Sequence, residues 1–154
     1  MIDTPQIVQT PRQRTAAIHV TIPRSSIQQV FPTAVDELMA ELGKQGVAPA
    51  GALLSYHLKM PSDVFDFEIA FPVEQDVKPG GRVVASEVPA MKVARTVYHG
   101  PMEGLGAAWG ELAQWIKANG HALGEQMFER YLVSPGDTKD VSKWETELNW
   151  PLAD

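Results

Sequence analysis

Residues 110–120 read "GELAQWIKANG", and residues 36–46 read "DELMAELGKQG". Laid on each other, the stretches match Glu37 with Glu111, Leu38 with Leu112 and Gly46 with Gly120. The segments around them carry apolar residues at helical spacing: Val35, Leu38, Met39 and Leu42 in the N-terminal one, Leu105, Ala108, Trp109, Leu112, Trp115 and Ile116 in the C-terminal one. Each ends at a glycine able to stop a helix. The match continues downstream, with Tyr56 on Tyr131, Glu68 on Glu147 and Pro72 on Pro151. The offset grows from 74 to 79 residues, so small insertions separate two copies of one unit.

The segments around the helices complete that unit. "QIVQTPRQRTAAIHVTIP" reads as a strand broken at Pro11. The first helix starts at a cap on Ser25 or Ser26 and restarts or kinks at Pro32. "GALLSYHLKM" and "DVFDFEIAFPV" read as strands joined at "PSD", with Phe65, Phe67, Ile69 and Phe71 in strict alternation. "EQDVKPGG" is a loop. The second copy repeats the order: strands "RVVASEV" and "MKVARTVYHG" flank Pro89, and "PMEGLGAAWGELAQWIKANG" is a helix. The strand "QMFERYLVS", the turn "PGDTKD" and the strand "SKWETELNWPL" follow. Each copy, about 6–75 and 82–152, is strand–helix–strand–strand. One copy cannot bury both its helix and its sheet well, whereas two side by side can. The expected fold is therefore α+β, one domain over 1–154. It is a tandem duplication forming a curved antiparallel sheet, with two helices on one face and a ligand cleft on the other where the copies join.

Bulk properties narrow the function classes. The chain has 154 residues, 44% of them apolar, which suffices for a core. No cysteine is present, so a disulfide scaffold, a thiolate nucleophile and cysteine-based metal sites are excluded. A net charge of −6 without a basic stripe argues against direct nucleic-acid binding. No apolar run approaches the roughly 20 residues of a membrane span, and "MIDTPQIVQT" lacks the features of a signal peptide. The expectation is a soluble cytoplasmic protein that does not engage a membrane. Composition carries no signal for oligomeric state.

One acid stands out. In "QMFERYLVSP", residues 126–135, Met127, Glu129, Tyr131 and Val133 point one way, and Phe128 and Leu132 the other. Glu129 is an exposed strand glutamate, a partner of Arg130 or Lys92, or an acid held in a pocket. Tyr131 shares its face and is either a core tyrosine or a group that orients the acid. Glu147, on the strand expected to pair with this one, is a second pocket acid, a solvent-facing glutamate or the partner of Arg95. Aromatic residues are plentiful, and flat cations favour such walls through contacts worth about 0.5–2 kcal/mol each. Trp150 and Tyr98 are the first candidates for the cleft, then Trp109 and Phe67. His99 before a Gly-Pro turn reads as structural, and His19, His57 and His121 show no metal spacing. No metal and no cofactor are expected. "GLGAAWG" follows no phosphate-loop pattern.

The order of these motifs resembles a known family. "EVPAMKVARTVYHGPMEGLGAAWGELAQWIKANG", then "FERYLVSP", then "TELNWPL" are similar to the GyrI-like small-molecule-binding domain, the effector-binding domain of AraC-type and MerR-type multidrug regulators. Pro89–Ala90 precedes a strand, "YHGPMEGL" opens a helix, Glu129-x-Tyr131 follows, and "TELNWP" closes the unit. The likeness spans nearly the whole chain, and the expectation is a stand-alone member without a helix-turn-helix. The resemblance implies Glu129 at the floor of an aromatic pocket; the residues expected to bind ligand beside it are Tyr98, Trp109, Trp150, Phe67, Glu147 and Tyr56. It implies binding of bulky aromatic, often cationic or electrophilic small molecules, as in drug or toxin protection. A second implied function is a hydrolase that opens cyclopropane rings of DNA-alkylating toxins, with Glu129 activating water and Tyr131 assisting. A third is inhibition of a protein partner such as a topoisomerase.

Overall fold

A computed structural model describes residues 2–134 and 137–154. Pro135 and Gly136, part of the expected "PGDTKD" turn, lie outside the described residues. Among the described residues the chain is α+β, with eight strands, antiparallel in every pairing described, and two α-helices. The elements run β1 (Gln6–Thr10), β2 (Gln13–Pro23), α1 (Ile27–Gln45), β3 (Leu54–His57), β4 (Val64–Pro72), β5 (Val83–Val88), β6 (Met91–His99), α2 (Leu105–Ala118), β7 (Phe128–Val133) and β8 (Glu145–Pro151).

Two compact units form, and their boundaries differ from those of the sequence repeats. One is Pro11–Ala90; the other joins the segment ending at Thr10 to Met91–Asp154. The strand expected to break at Pro11 does break there. Its short first piece, β1, pairs with β6 from Gln6↔Arg95 to Thr10↔Met91. Likewise β5, ahead of Pro89, pairs with β2 from Gln13↔Val88 to Ile18↔Val83. A proline between two strand pieces removes a ladder donor and lets the chain change partner. Each unit thus holds four strands and one helix: β3-β4-β2-β5 with α1, and β1-β6-β8-β7 with α2.

The helices use the same residues in each unit. α1 buries Ala34, Leu38 and Leu42, and α2 buries Ala108, Leu112 and Ile116. Each set is spaced i, i+4, i+8, which makes one stripe facing the sheet. Beneath α1 lie Ala16, Ile18, Val20, Phe67 and Ile69; beneath α2 lie Ala94, Tyr98, Leu148 and Trp150. α1 runs through Pro32 as one helix. Pro32 removes one helical N–H near the start, and the packed stripe downstream keeps the helix continuous. Ser26 occupies the N-cap, but its side chain makes no capping bond. Gly46, at φ +68°, ends α1 in the left-handed conformation that only glycine adopts cheaply.

Candidate ligand site

The site is built on β7, β8 and α2. β7 pairs with β8 so that Glu129 lies opposite Leu148 and Tyr131 opposite Thr146. Leu148 belongs to the core beneath α2, so Glu129 and Tyr131 project from the sheet face that α2 covers. The sequence reading put the cleft on the face away from the helices; the register places the acid on the helix side instead. Met127 lies in the same core, as its alternation with Glu129 requires.

Glu129 is only 9% exposed. The Tyr131 hydroxyl donates to its Oε1 at 2.7 Å, and the Trp109 indole Nε1–H donates to its Oε2 at 3.1 Å. Each carboxyl oxygen therefore has a neutral donor. Among the described residues, no ion pair involves Glu129. Burial pushes its carboxyl pKa up, and the two hydrogen bonds pull it only part of the way back. Trp109 meets Trp150 edge to face, with ring centroids 5.6 Å apart and planes at 70°. Trp150 is fixed by its own indole N–H, which donates to the Gly124 carbonyl at 2.9 Å. Tyr131 and Trp109 are half-buried, so the acid lies just behind two accessible aromatic groups. Such an acid can release its proton when a cation takes its place. It can also accept a proton from a nucleophile held beside it.

The other expected residues fall elsewhere. Tyr98 shares the α2 side, but its hydroxyl donates to the Pro101 carbonyl at 2.8 Å, and the ring is buried against the backbone at Gly104. It is a core tyrosine. Glu147 lies on the face away from α2, opposite Arg130 in the register. It accepts from Arg130 Nη1 at 3.1 Å, and Arg95 Nε stands 3.4 Å away. Strand alternation sends it to the face opposite Glu129, so it pairs with arginines and is no second acid of this site. Arg130 is thereby taken by Glu147.

In the Pro11–Ala90 unit, Phe67 is 1% exposed and packs in the core beneath α1. Tyr56 pairs with Glu68, which alternates with the core residues Phe67 and Ile69, so Tyr56 faces away from α1. Burial first, then Glu68 and Glu87, raise its pKa. The register also corrects the residue match between the copies. With Glu68 on Glu147, the residue opposite Glu68 is Tyr56 and the residue opposite Glu147 is Arg130. Tyr56 therefore corresponds to Arg130. Ser55 corresponds to Glu129, and His57 to Tyr131. Sequence reasoning treated His57 only as a metal candidate and missed this place. His99, read as structural, lies 3.1 Å from Asp3.

The family model of the GyrI-like small molecule binding domain matches residues 3–153, and the chain belongs to that family. Its fold is similar to that of the EcmrR C-terminal domain, with a TM-score of 0.80 at 22% identity over 99% of this chain and 99% of that one. EcmrR in its DNA complex gives a TM-score of 0.82 at 23% identity, covering 98% of this chain and 57% of that one. This chain thus spans a little over half the length of that EcmrR chain. SAV2435 bound to tetraphenylphosphonium gives a TM-score of 0.67 at 14% identity, covering 97% of this chain and 94% of that one. A hydrolase from Listeria innocua gives 0.70 at 14% identity, covering 97% and 91%. At these identities the likeness is one of fold. No curated protein matches the sequence. Among the described residues, no helix is long and apolar enough to cross a membrane, and no cluster of three metal-ligating side chains forms.

Proposed function

We propose that the chain binds bulky aromatic, often cationic or electrophilic small molecules at Glu129, and so serves in drug or toxin binding and protection. One observation carries this reading: a buried carboxyl with a raised pKa, hydrogen-bonded by an indole and a phenol, with no ion pair among the described residues. Desolvation makes the uncompensated carboxylate costly, and a ligand cation supplies the missing charge at close range. Trp109 and Tyr131 supply aromatic surface beside it, suited to stacking and cation–π contact. Membership of a small molecule binding family supports the reading, as does a relative of similar fold solved with tetraphenylphosphonium, a bulky aromatic cation.

Titration of tetraphenylphosphonium, followed by tryptophan fluorescence, tests it. Binding should quench the emission of Trp109 and Trp150. Glu129→Gln should weaken affinity at least tenfold, about 1.4 kcal/mol. Affinity of the wild type should rise with pH as the acid gives up its proton, and that rise should vanish in Glu129→Gln. Equal affinity in both proteins would overturn the proposal.

The 2.7 Å bond between Tyr131 and Glu129 favours a second reading, hydrolysis of a strained ring. Glu129 would take a proton from water as the water oxygen bonds to a ring carbon. The ring C–C bond would break, its electron pair would pass to a conjugated carbonyl that Tyr131 holds, and the oxyanion so formed would take up the proton that Glu129 then releases, restoring the carboxylate. The relatives of this fold include one called a hydrolase. A cyclopropane electrophile incubated in ¹⁸O-water should then give a product carrying one heavy oxygen over many turnovers. Binding without turnover would leave the first reading alone.

A further inference from the structure

We propose that the Pro11–Ala90 unit carries a recognition position of its own, built on His57, which takes an uncharged ring compound through one hydrogen bond to the imidazole Nδ1. Two independent observations meet there. His57 is only 8% exposed, and its Nδ1 is buried with no hydrogen-bond partner among the described residues. The register also makes His57 the counterpart of Tyr131. Each lies two residues beyond the position that holds Ser55 in one unit and Glu129 in the other, and each projects on the side its helix covers.

A buried, unpaired polar nitrogen destabilises the fold, and a phenylalanine or leucine there would avoid that cost. A ligand atom bonded to Nδ1 removes it. The surroundings define the rest of the ligand. Phe67 stacks on the imidazole at 5.3 Å with planes 24° apart, and Phe65 meets it edge-on at 5.6 Å. Ile22, Ile27 and Phe31 are partly buried against the same core. Phe67 and Phe65 are the apolar neighbours of His57 suited to a ring. No ion pair among the described residues involves His57, and burial keeps the imidazole neutral, its pKa lowered to about 4. A neutral imidazole has one donor and one acceptor nitrogen, so it selects a hydroxyl or an amide and gains nothing from a formal charge. The unit therefore favours uncharged phenols or aromatic amides, a chemistry different from that of Glu129.

The test is ¹⁵N NMR of the His57 ring in the full chain, titrated separately with phenol and with benzamide. At least one should shift the His57 ring nitrogens saturably, and His57→Phe should weaken that compound's binding at least tenfold by calorimetry. Ring nitrogens unmoved by both compounds would overturn the proposal. So would wild-type affinity in His57→Phe, or a crystal structure in which a water joins Nδ1 to the protein and survives soaking with both compounds. Because the shift is read on the wild-type chain, poor folding of the variant does not leave the question open. Cation binding at Glu129 is read by tryptophan fluorescence, so the two proposals can fail separately.

Discussion

An acid that folds into a dry place holds its proton longer than it does in water, and that has a measurable sign. Because the folded-state pKa of Glu129 is raised, its contribution favours the folded chain fully below the ordinary glutamate value, and this is lost as pH rises through the folded value. Glu129→Gln should therefore be more stable than the wild type at pH 7, on the order of 1 kcal/mol. The gap should close in denaturation curves taken near pH 4. His57 runs the other way. Its pKa falls from 6.5 to about 4, so stability is fully present above 6.5 and is lost as pH drops toward 4. That loss, roughly 3 kcal/mol at about 1.4 kcal/mol per pH unit, should appear in the wild type and be absent from His57→Phe over the same range. Glu129 was legible in the sequence because it is the lone acid of an apolar, aromatic run. His57 was not, because "SYHL" looks like any strand until its register is known. Nor does sequence reveal that the indole of Trp109 reaches Glu129, since that depends on how a helix sits over a strand.

At the scale of elements, glycines mark the places where the backbone has no alternative. Gly46 and Gly120 end the two helical segments at φ +68° and +79°, with nothing within 4 Å of where a Cβ would stand. Alanine at either should cost about 1 kcal/mol, from backbone strain alone. Gly104, at the N-cap of α2, is a different case. A Cβ there would lie 2.0 Å from the Tyr98 hydroxyl, which is itself held by Pro101. Gly104→Ala should cost about 1–3 kcal/mol, and Tyr98→Phe in the same chain should recover part of it; thermal unfolding of the single and double variants decides. The stops at Gly46 and Gly120 were readable because a periodic apolar stripe ends at each. The clash at Gly104 was not, because it pairs a helix start with a strand residue through space. Strand faces were also out of reach, and Glu147 shows why: one position of alternation decides whether it joins Glu129 or Arg130.

Across the whole molecule, the duplication was the most legible feature, since helix stripes and terminal glycines recur at a fixed offset. The match of Tyr56 with Tyr131 was one residue off. Shared identity guided it, whereas backbone pairing equates Tyr131 with His57. β7 also shifts register between Tyr131 and Val133, which blurs any alignment there. The corrected equivalence makes its own prediction. Ser55→Glu puts a carboxylate at the position equivalent to Glu129, but Val35 stands where the other unit has Trp109, so the indole donor is missing. The variant should lose about 1–3 kcal/mol at pH 7 and less near pH 4, where the acid is protonated; chemical denaturation at the two values measures it. The partnership of β1 with β6 has a temporal consequence. Residues 11–90 form a contiguous unit that is complete once their own span has left the ribosome. The strand at Gln6–Thr10 emerges ahead of that unit, yet its hydrogen-bonding mates at Met91–Arg95 follow it. Its edge therefore stays unpaired while the whole of Pro11–Ala90 is made, an interval in which a nascent chain is open to chaperones and to mispairing.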